Sequence, residues 1–392
     1  MYDFSTVPDR TALGSVKWLN MKKNNPAVPD NILPFSIADM ELPVAPEIIA
    51  SLQEFISHSF LGYSMPTENY FRAVSMWMKD HHAWPIKADW ILPSPGVVPA
   101  LFNAVRAFTK KGDGVIVMTP VYYPFFRAVE KNERKLISVP LIYKNTHYQI
   151  DFDTLAKAAH DNNNNLLILC NPHNPVGRVW NKKELLKIAD ICLQKNVLMI
   201  SDEIHSDIIM PGHEHTALAS LNDTIANNCI TCTAPSKTFN IAGIQVSNII
   251  IKNHALRHKF MNTALQAGYG ALNILGYKAC ETAYTKCSNW LDEFITLIVH
   301  NKKLSEDYIK KNLPQIKVID MEGTYLQWWD CSGLGLTYKN REILMNKKAF
   351  LFSDNGYMFG REGINFERIN LACPSNVLEN ALIRLTNVLK NC

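Results

Sequence analysis

The sequence lacks several features that would place the protein in a specialised class. No uncharged apolar run is long enough to span a bilayer, so we predict no membrane-spanning segment. The 40 basic and 36 acidic residues nearly balance, which argues against nucleic acid as the main ligand. Residues 1–5 include an aspartate and contain no apolar segment, so we also expect no signal peptide.

The cysteines do not form a framework of pairs. There are nine of them, an odd number, scattered along the chain. Cys229 and Cys232 form a CxxC inside an apolar run that is typical of a buried strand, where positions three apart point to opposite faces. We therefore predict buried free thiols, rather than a redox or metal pair, and a reducing cytoplasm as the compartment.

The composition is that of an ordinary folded protein with a large core. Hydrophobic residues make up 47% and charged residues 19% of the 392 positions. Short apolar runs alternate with helical patterns, such as the one over 182–195, and this alternation is typical of a mainly parallel sheet covered on both faces. The predicted strands are 115–118, 137–140, 166–170, 197–201, 229–233 and 246–251.

The pattern changes beyond about residue 290, which indicates a second, smaller α+β domain. A long helix is predicted first, and a helix closes the chain. Between them we predict strands over 317–320, 325–330 and 368–371 and a helix over 341–355. The sequence thus predicts three parts: an N-terminal segment (1–45) packing with the small domain, a large domain (46–288) and the small domain (289–392).

Polar residues follow several predicted strands at their carboxyl ends, where ligands bind in open α/β sheets. Asp202 ends one strand, Lys237 follows another, and Asn174 lies in a loop with two Asn-Pro steps after a third. Each has a structural explanation when it is taken singly: a helix-capping carboxylate, a solvated lysine and a turn. Their occurrence at three strand ends is the first indication of a site.

A further segment, 93–100, surrounds Gly96 with prolines just before a helical pattern over 101–108. Backbone N–H groups and the positive end of a helix dipole suit a phosphate at such a position. One glycine is weak evidence, and no GxGxxG or Walker sequence indicates a dinucleotide or a nucleoside triphosphate. The order is more specific: a phosphate turn, an aromatic residue, an Asn-Pro loop, an aspartate and a lysine follow one another from Gly96 to Lys237.

This order resembles that of the fold type I pyridoxal-phosphate enzymes of the aminotransferase class I/II superfamily, and within them the MalY/PatB-like cystathionine β-lyase subgroup. The resemblance covers nearly the whole chain. The stretches that carry it are 15–18, 35–40, 62–64, 201–205, 234–240 and 323–326. It implies an aspartate aminotransferase-like fold, in which a large cofactor-binding domain has a mainly parallel seven-stranded sheet between helices and a smaller α+β domain follows.

The resemblance also implies contacts to the ring of pyridoxal 5′-phosphate. Lys237 would bind the cofactor covalently and later move the Cα proton of the substrate. Asp202 would face the pyridine nitrogen and favour its protonated form. Tyr122 would stack on the ring, and Asn174 would bond to its phenolic oxygen. His205 would hold that oxygen or orient Asp202, although a purely structural histidine fits equally well.

The phosphate contacts are implied in the same way. Four residues of this chain would bind the phosphate, through backbone groups and one hydroxyl: Gly96, Val97, Val98 and Ser236. Tyr63 would reach the phosphate of the neighbouring subunit, so a homodimer with shared active sites is implied. The chain departs from the wider pattern at Gln245, where many aminotransferases carry a phosphate-binding arginine, and at Ala234, which replaces a common serine.

For the substrate, the resemblance implies that Arg368 binds the α-carboxylate, because a planar guanidinium can grip a carboxylate with two hydrogen bonds. Asn174 and Ala38 would complete the substrate contacts. Arg361 is a rival that we interpret as a surface residue. We predict no metal, because the histidines at 213 and 215 lack a convincing third ligand.

The subgroup favours carbon–sulfur β-elimination from L-cystathionine or another cysteine S-conjugate, which gives pyruvate, ammonia and a thiol. An alternative is an aminotransferase acting on an aromatic or broad range of amino acids, since both reactions begin with removal of the Cα proton. A third interpretation is a regulatory binding protein that retains the cofactor, although no exposed interaction segment is readable in the sequence.

Overall fold

The computed structural model describes residues 2–7 and 10–391. Its strands are β1 (Ile91–Ser94), β2 (Gly114–Thr119), β3 (Lys135–Pro140), β4 (Ile142–Lys144), β5 (His147–Gln149), β6 (Asn164–Cys170), β7 (Leu198–Asp202), β8 (Cys229–Thr233), β9 (Ser247–Ile250), β10 (Lys317–Val318), β11 (Leu326–Asp330), β12 (Asp354–Asn355) and β13 (Phe366–Asn370).

The α-helices lie between and around these strands. They are α1 (Val16–Asn24), α2 (Pro46–His58), α3 (Glu68–His82), α4 (Val97–Phe108), α5 (Pro124–Glu130), α6 (Phe152–His160), α7 (Lys182–Gln194), α8 (Asp223–Asn227), α9 (Pro235–Thr238), α10 (His254–Gln266), α11 (Ile274–Lys286), α12 (Ser288–Asn312), α13 (Tyr338–Ile343) and α14 (Ser375–Lys390). Among the described residues, none of these helices combines the length and apolar character that a bilayer crossing requires.

The large sheet has seven strands in the order β1-β9-β8-β7-β6-β2-β3. All neighbouring pairs are parallel except those of β9, which runs antiparallel to β1 and to β8. The predicted mainly parallel seven-stranded sheet between helices is therefore confirmed. All six predicted strands are present, and β1 supplies the seventh, which the sequence did not predict.

The interior strands are buried on both faces, as their continuous apolar sequences predict. Residues of one strand pack alternately into two core clusters on opposite sides of the sheet: Cys229 of β8 belongs to the larger cluster, and Ile230 and Cys232 belong to the smaller. Both cysteines are free and buried. The CxxC thus places its thiols on opposite faces, as predicted, and cannot act as a pair.

Two helices next to the sheet begin at residues whose side chains or backbone conformation favour the start of a helix. Helix α7 has a capping box, in which the Asn181 side chain accepts from the Glu184 backbone and the Glu184 side chain accepts from the Asn181 backbone. Helix α4 begins directly after Gly96. The φ of Gly96 is 122°, which glycine adopts readily and which would strain other residues. The helix predicted over 101–108 therefore starts four residues earlier, at Val97.

A second, antiparallel sheet has the order β10-β11-β13-β12. The helix predicted over 341–355 is wrong in its second half, because α13 runs into a short π-helical turn (Leu344–Lys348) and the chain then forms strand β12. Phe350 and Phe352 adopt positive φ values of 51° and 49°, which a continuing helix does not allow.

The N-terminal segment contacts the end of the second sheet. The Phe35 carbonyl accepts a hydrogen bond from Asn370 N at 3.0 Å, and Glu41 N donates to the Ala372 carbonyl at 2.9 Å. These contacts bring residues 35–41 beside β13, which is consistent with a segment that packs with the C-terminal part. The boundaries at residues 45 and 288 stay a prediction.

Candidate active site

A cavity of about 300 Å³ lies beyond the carboxyl ends of β6, β7 and β8. This volume lies at the lower end of the range for sites that bind small organic ligands. Ten of the residues predicted to form the site line this cavity: Ala38, Gly96, Val97, Val98, Tyr122, Asn174, Asp202, His205, Ser236 and Lys237.

Lys237 enters the cavity from α9, the single helical turn that follows β8. Pro235 occupies its first position, where a missing N–H costs nothing. The Lys237 Nζ donates to the Ala38 carbonyl oxygen at 2.5 Å. Desolvation in the cavity lowers the pKa of Lys237 to about 8, although the negative charge of Asp39 works in the opposite direction. A larger share of neutral, nucleophilic amine at neutral pH follows.

Asp202 is the last residue of β7 and is buried. One of its oxygens accepts from the Ile204 N–H at 3.2 Å. Burial raises the pKa of Asp202 to about 7, although the positive charge of Lys237 opposes this shift. Among the described residues, no cationic side chain forms an ion pair with Asp202. A buried carboxylate without a cationic partner favours a ligand that brings a positive charge or a further hydrogen-bond donor.

Tyr122 and Asn174 are held together on one side of the cavity. The Tyr122 N–H donates to the Asn174 carbonyl at 3.0 Å. Burial raises the pKa of the Tyr122 hydroxyl, so the phenol stays protonated at neutral pH. The loop after β6 is further fixed by Cys170, whose thiol donates to the Pro172 carbonyl at 3.3 Å. The aromatic ring therefore has a defined place beside the Asn-Pro loop.

His205 lines the cavity, and its ring packs edge-to-face against Tyr325 with centroids 5.8 Å apart. Burial lowers the pKa of His205 well below its usual value, and the positive charges of Lys237 and Arg368 add to the shift, so the ring is neutral. Its Nδ1 atom is buried and has no hydrogen-bond partner among the described residues. A buried polar atom without a partner is unfavourable, so a ligand that supplies one would stabilise the site.

The start of α4 also lines the cavity. Gly96, Val97 and Val98 line it together with Ser236 and Gln245. Among the described lining residues Lys237 is the one lysine or arginine, so no other cationic side chain lines the cavity. An anion there would bind to backbone N–H groups and to the positive end of the α4 dipole.

Two predicted residues lie outside the cavity lining. Arg368 of β13 is buried, and its Nη1 donates to the Asn174 side-chain oxygen at 2.9 Å, which connects it to the lining. Tyr63 is fully exposed. Arg361 is also exposed, as the sequence indicated for this rival to Arg368.

Several residues around the site were not predicted from the sequence. The Tyr325 hydroxyl donates to the Ala38 carbonyl at 3.0 Å, and the Asn370 side chain donates to the carbonyls of Ile37 and Asp39 at 2.8 and 2.7 Å. Asp354 forms an ion pair with Arg368. Tyr325 lies in a stretch that carried the family resemblance and could have been found, whereas no sequence signal marked Asp354 or Asn370.

No group of three potential metal ligands forms within the described part of the chain. His215 is buried, with its Nδ1 3.3 Å from Nδ1 of His82, whereas His213 is exposed. The two histidines that suggested a metal therefore do not converge.

Comparison with known proteins identifies the relatives of this chain. The sequence profile of the aminotransferase class I and II family matches residues 30–385. Cystathionine beta-lyase PatB from Bacillus subtilis is 41% identical over 383 residues, which cover 98% of this chain and 98% of PatB.

Two solved structures are similar over almost their whole length. Cystalysin from Treponema denticola, which contains a pyridoxal 5′-phosphate cofactor, has a TM-score of 0.98 and 50% sequence identity, covering 100% of this chain and 99% of its own. The PLP-bound C-S lyase from Staphylococcus hominis, complexed with the inhibitor L-cycloserine, has a TM-score of 0.91 and 30% identity, covering 99% and 98%.

Proposed function

Because the chain belongs to the aminotransferase class I and II family, we propose that it is a pyridoxal 5′-phosphate-dependent carbon–sulfur β-lyase that acts on L-cystathionine or related cysteine S-conjugates. The observation that carries this proposal is the similarity to PatB, a cystathionine beta-lyase, over 98% of both chains. The similar C-S lyase from Staphylococcus hominis supports the same reaction class.

The residues of the cavity fit this cofactor. Asp202 offers a buried carboxylate without a cationic partner, and a protonated pyridine nitrogen would supply one. His205 offers an unpartnered ring nitrogen. Lys237 offers an amine with a lowered pKa, and the start of α4 offers backbone N–H groups for a phosphate. These groups thus match an aldehyde, a pyridine nitrogen and a phosphate in one cavity.

When bound, the cofactor supplies an electron-accepting ring that stabilises negative charge at the substrate Cα. The residues of the chain position the substrate and move its proton. Lys237 is the base that takes the Cα proton, and its Nζ is held by the Ala38 carbonyl beforehand. Asp202 would balance positive charge at the ring nitrogen, and Tyr122 would pack against the face of the ring.

Arg368 and Asn174 hold the substrate carboxylate. The guanidinium is already oriented by its bond to the Asn174 side chain, so little freedom is lost when the substrate binds. Fixing the carboxylate sets which Cα bond lies closest to the base. Overall, cystathionine and water give homocysteine, pyruvate and ammonia: the Cβ–S bond breaks, and the thiolate takes up a proton.

The reaction class is tested by product analysis with L-cystathionine in the absence of any keto acid. We expect pyruvate and homocysteine in equal amounts, because elimination needs no second substrate. The companion reaction contains 2-oxoglutarate and should give the same rate. Product that forms only after 2-oxoglutarate is added would instead identify an aminotransferase and overturn the lyase assignment.

We further propose that two copies of the chain form a homodimer with shared active sites. The segment 59–66, between α2 and α3, exposes apolar side chains that water solvates poorly: Phe60 is 97% exposed, Leu61 63% and Met65 75%. Beside it lies an apolar groove of about 450 Å³, which shares Pro95 and Pro99 with the lining of the active-site cavity. Association through segment 59–66 and this groove would bring Tyr63 of one copy to the phosphate-binding residues of the other copy.

The shared site predicts complementation between two damaged chains. Tyr63→Ala should lower activity about tenfold, and Lys237→Ala should remove it. Mixing them through unfolding and refolding should restore about a quarter of the wild-type activity, because half of the dimers are mixed and each mixed dimer has one intact site. Activity that never exceeds the average of the two parent variants would contradict shared sites.

A reducing compartment such as the cytoplasm is also part of the proposal. All eight cysteines that the structure describes are buried free thiols. Protein thiols persist in this state in reducing surroundings.

A further inference from the structure

The carboxylate of Asp354 contacts both the proposed carboxylate-binding residue Arg368 and the backbone of Ile37, which precedes Ala38. Strand β12 pairs with β13 so that Asp354 stands directly opposite Arg368, which places the two side chains on the same face. The Asp354 Oδ2 atom accepts from Arg368 Nη2 at 2.5 Å and from Arg368 Nε at 3.2 Å. Both residues are buried, so water screens this ion pair weakly.

The contacts of Arg368 leave donors for a second carboxylate. A guanidinium carries five N–H groups. Asp354 takes the Nε–H and one N–H of Nη2, and the Asn174 side chain takes one N–H of Nη1. One N–H remains on each terminal nitrogen, which is the number that a carboxylate accepts in a bidentate pair. The guanidinium also packs over the Phe359 ring at 4.8 Å, so its plane is fixed.

The same Asp354 oxygen holds the segment that contacts Lys237. It accepts from the Ile37 N–H at 2.8 Å. The carbonyl of the following residue, Ala38, accepts from Lys237 Nζ at 2.5 Å. The Asp354 oxygen thus links Arg368 to the backbone that contacts Lys237, because Ile37 and Ala38 are adjacent in the chain.

Backbone conformations on both sides of this contact are unusual. Ile37 has a φ of 55°, and Phe350 and Phe352, shortly before Asp354, have φ values of 51° and 49°. Branched or bulky side chains rarely adopt the left-handed region, and such conformations cluster at functional sites. The chain therefore tolerates strain at the residues that bring Asp354 and Ile37 together.

We propose that Asp354 is a positioning residue that orients the Arg368 guanidinium toward the substrate carboxylate and, through Ile37, keeps Ala38 against Lys237. The inference rests on the proposed function, in which Arg368 binds the α-carboxylate and Lys237 moves the Cα proton. Asp354 reaches the substrate only through these neighbours. It fixes the position of the Arg368 guanidinium relative to the Lys237 amine.

The test compares Asp354→Asn with Asp330→Asn in the cofactor-loaded enzyme. Asp330 is a matched control, because it is a buried aspartate of β11 in the same sheet and bonds to Tyr143 at 3.1 Å rather than to Arg368. For Asp354→Asn we expect the KM for L-cystathionine to rise about tenfold, since loss of orientation weakens carboxylate binding, and kcat to fall about threefold, since Ala38 no longer holds Lys237 in place. Asp330→Asn should leave both constants unchanged.

A binding measurement separates carboxylate positioning from a general loosening of the site. L-Alanine should inhibit Asp354→Asn about tenfold more weakly than the wild type. L-Alaninamide, which lacks the carboxylate, should inhibit both enzymes equally. If Asp354→Asn does not fold, Asp354→Ser removes the same charge with a smaller side chain and takes its place.

An unchanged KM and unchanged alanine inhibition in the folded variant would overturn the inference. So would an equal loss for alanine and alaninamide, or an equal rise of KM in Asp330→Asn. The proposed function is judged separately, by pyruvate release from cystathionine in the wild type. A wild type without that activity, whose Asp354→Asn variant still loses alanine binding selectively, would refute the lyase and support the positioning role.

Discussion

Replacing Lys237 by alanine is expected to lower pyruvate formation from L-cystathionine by at least about a thousandfold, because one amine both binds the cofactor and moves the Cα proton. No other lysine or arginine of the described chain lines the cavity. The rate of pyruvate release per folded chain is the measurement, with cofactor supplied in excess so that weaker binding alone cannot explain the loss.

Lys252→Ala is the matched control for this prediction. Lys252 follows β9 much as Lys237 follows β8, but it pairs with Asp223 at 2.6 Å and does not line the cavity. Its activity should equal that of the wild type. Turnover retained by Lys237→Ala within about tenfold of the wild type would exclude Lys237 as the base.

Replacing Asp202 by asparagine should reduce kcat/KM about a thousandfold, or about 4 kcal/mol of transition-state stabilisation. The amide keeps the shape of the side chain but cannot carry the negative charge that favours a protonated ring nitrogen. Steady-state kinetics of pyruvate release, together with the absorption spectrum of the bound cofactor, measure the effect.

The neighbouring Glu203 provides the control for Asp202. Its Oε1 atom accepts from the Ser201 hydroxyl at 2.7 Å and from the Leu218 N–H at 3.0 Å, on the side of the chain away from the cavity. Glu203→Gln should therefore keep activity within about tenfold of the wild type, even though it removes a buried charge one residue away. Equal losses in both variants would show that the effect is structural.

The large sheet could be predicted from sequence because its interior strands are continuous apolar runs between helical patterns. The edge strand β1 could not, since Pro93 and Pro95 make residues 93–96 look like a turn. Proline is tolerated in an edge strand, where one row of backbone N–H groups needs no partner. Strand β1 is indeed at the edge of the sheet and pairs only with β9 among the described strands.

The segment before β13 shows a different limit of sequence reasoning. Residues 341–355 have a helical pattern, but pairing with β13 and the positive φ values at Phe350 and Phe352 redirect the chain. These are tertiary effects, which override local propensity. The role inferred for Asp354 depends on this pairing and could not be predicted without it.

Most of the candidate site could be predicted because its residues follow strand ends in a fixed order along the chain. Asp202 ends β7, Lys237 follows the neighbouring strand β8, and both line one cavity. The contacts of Ile37 and Ala38 could not be predicted, because they join the N-terminal segment to residues about 200 to 330 positions away. Such long-range contacts have no local sequence pattern.

The central claim is that the enzyme eliminates a thiol from L-cystathionine and regenerates its starting form without a keto acid. It is tested most directly by counting pyruvate molecules per chain when purified, cofactor-loaded enzyme is mixed with excess L-cystathionine and no keto acid. The account predicts many pyruvates per chain at a steady rate. A reaction that stops after one product per chain and resumes only with 2-oxoglutarate would contradict it.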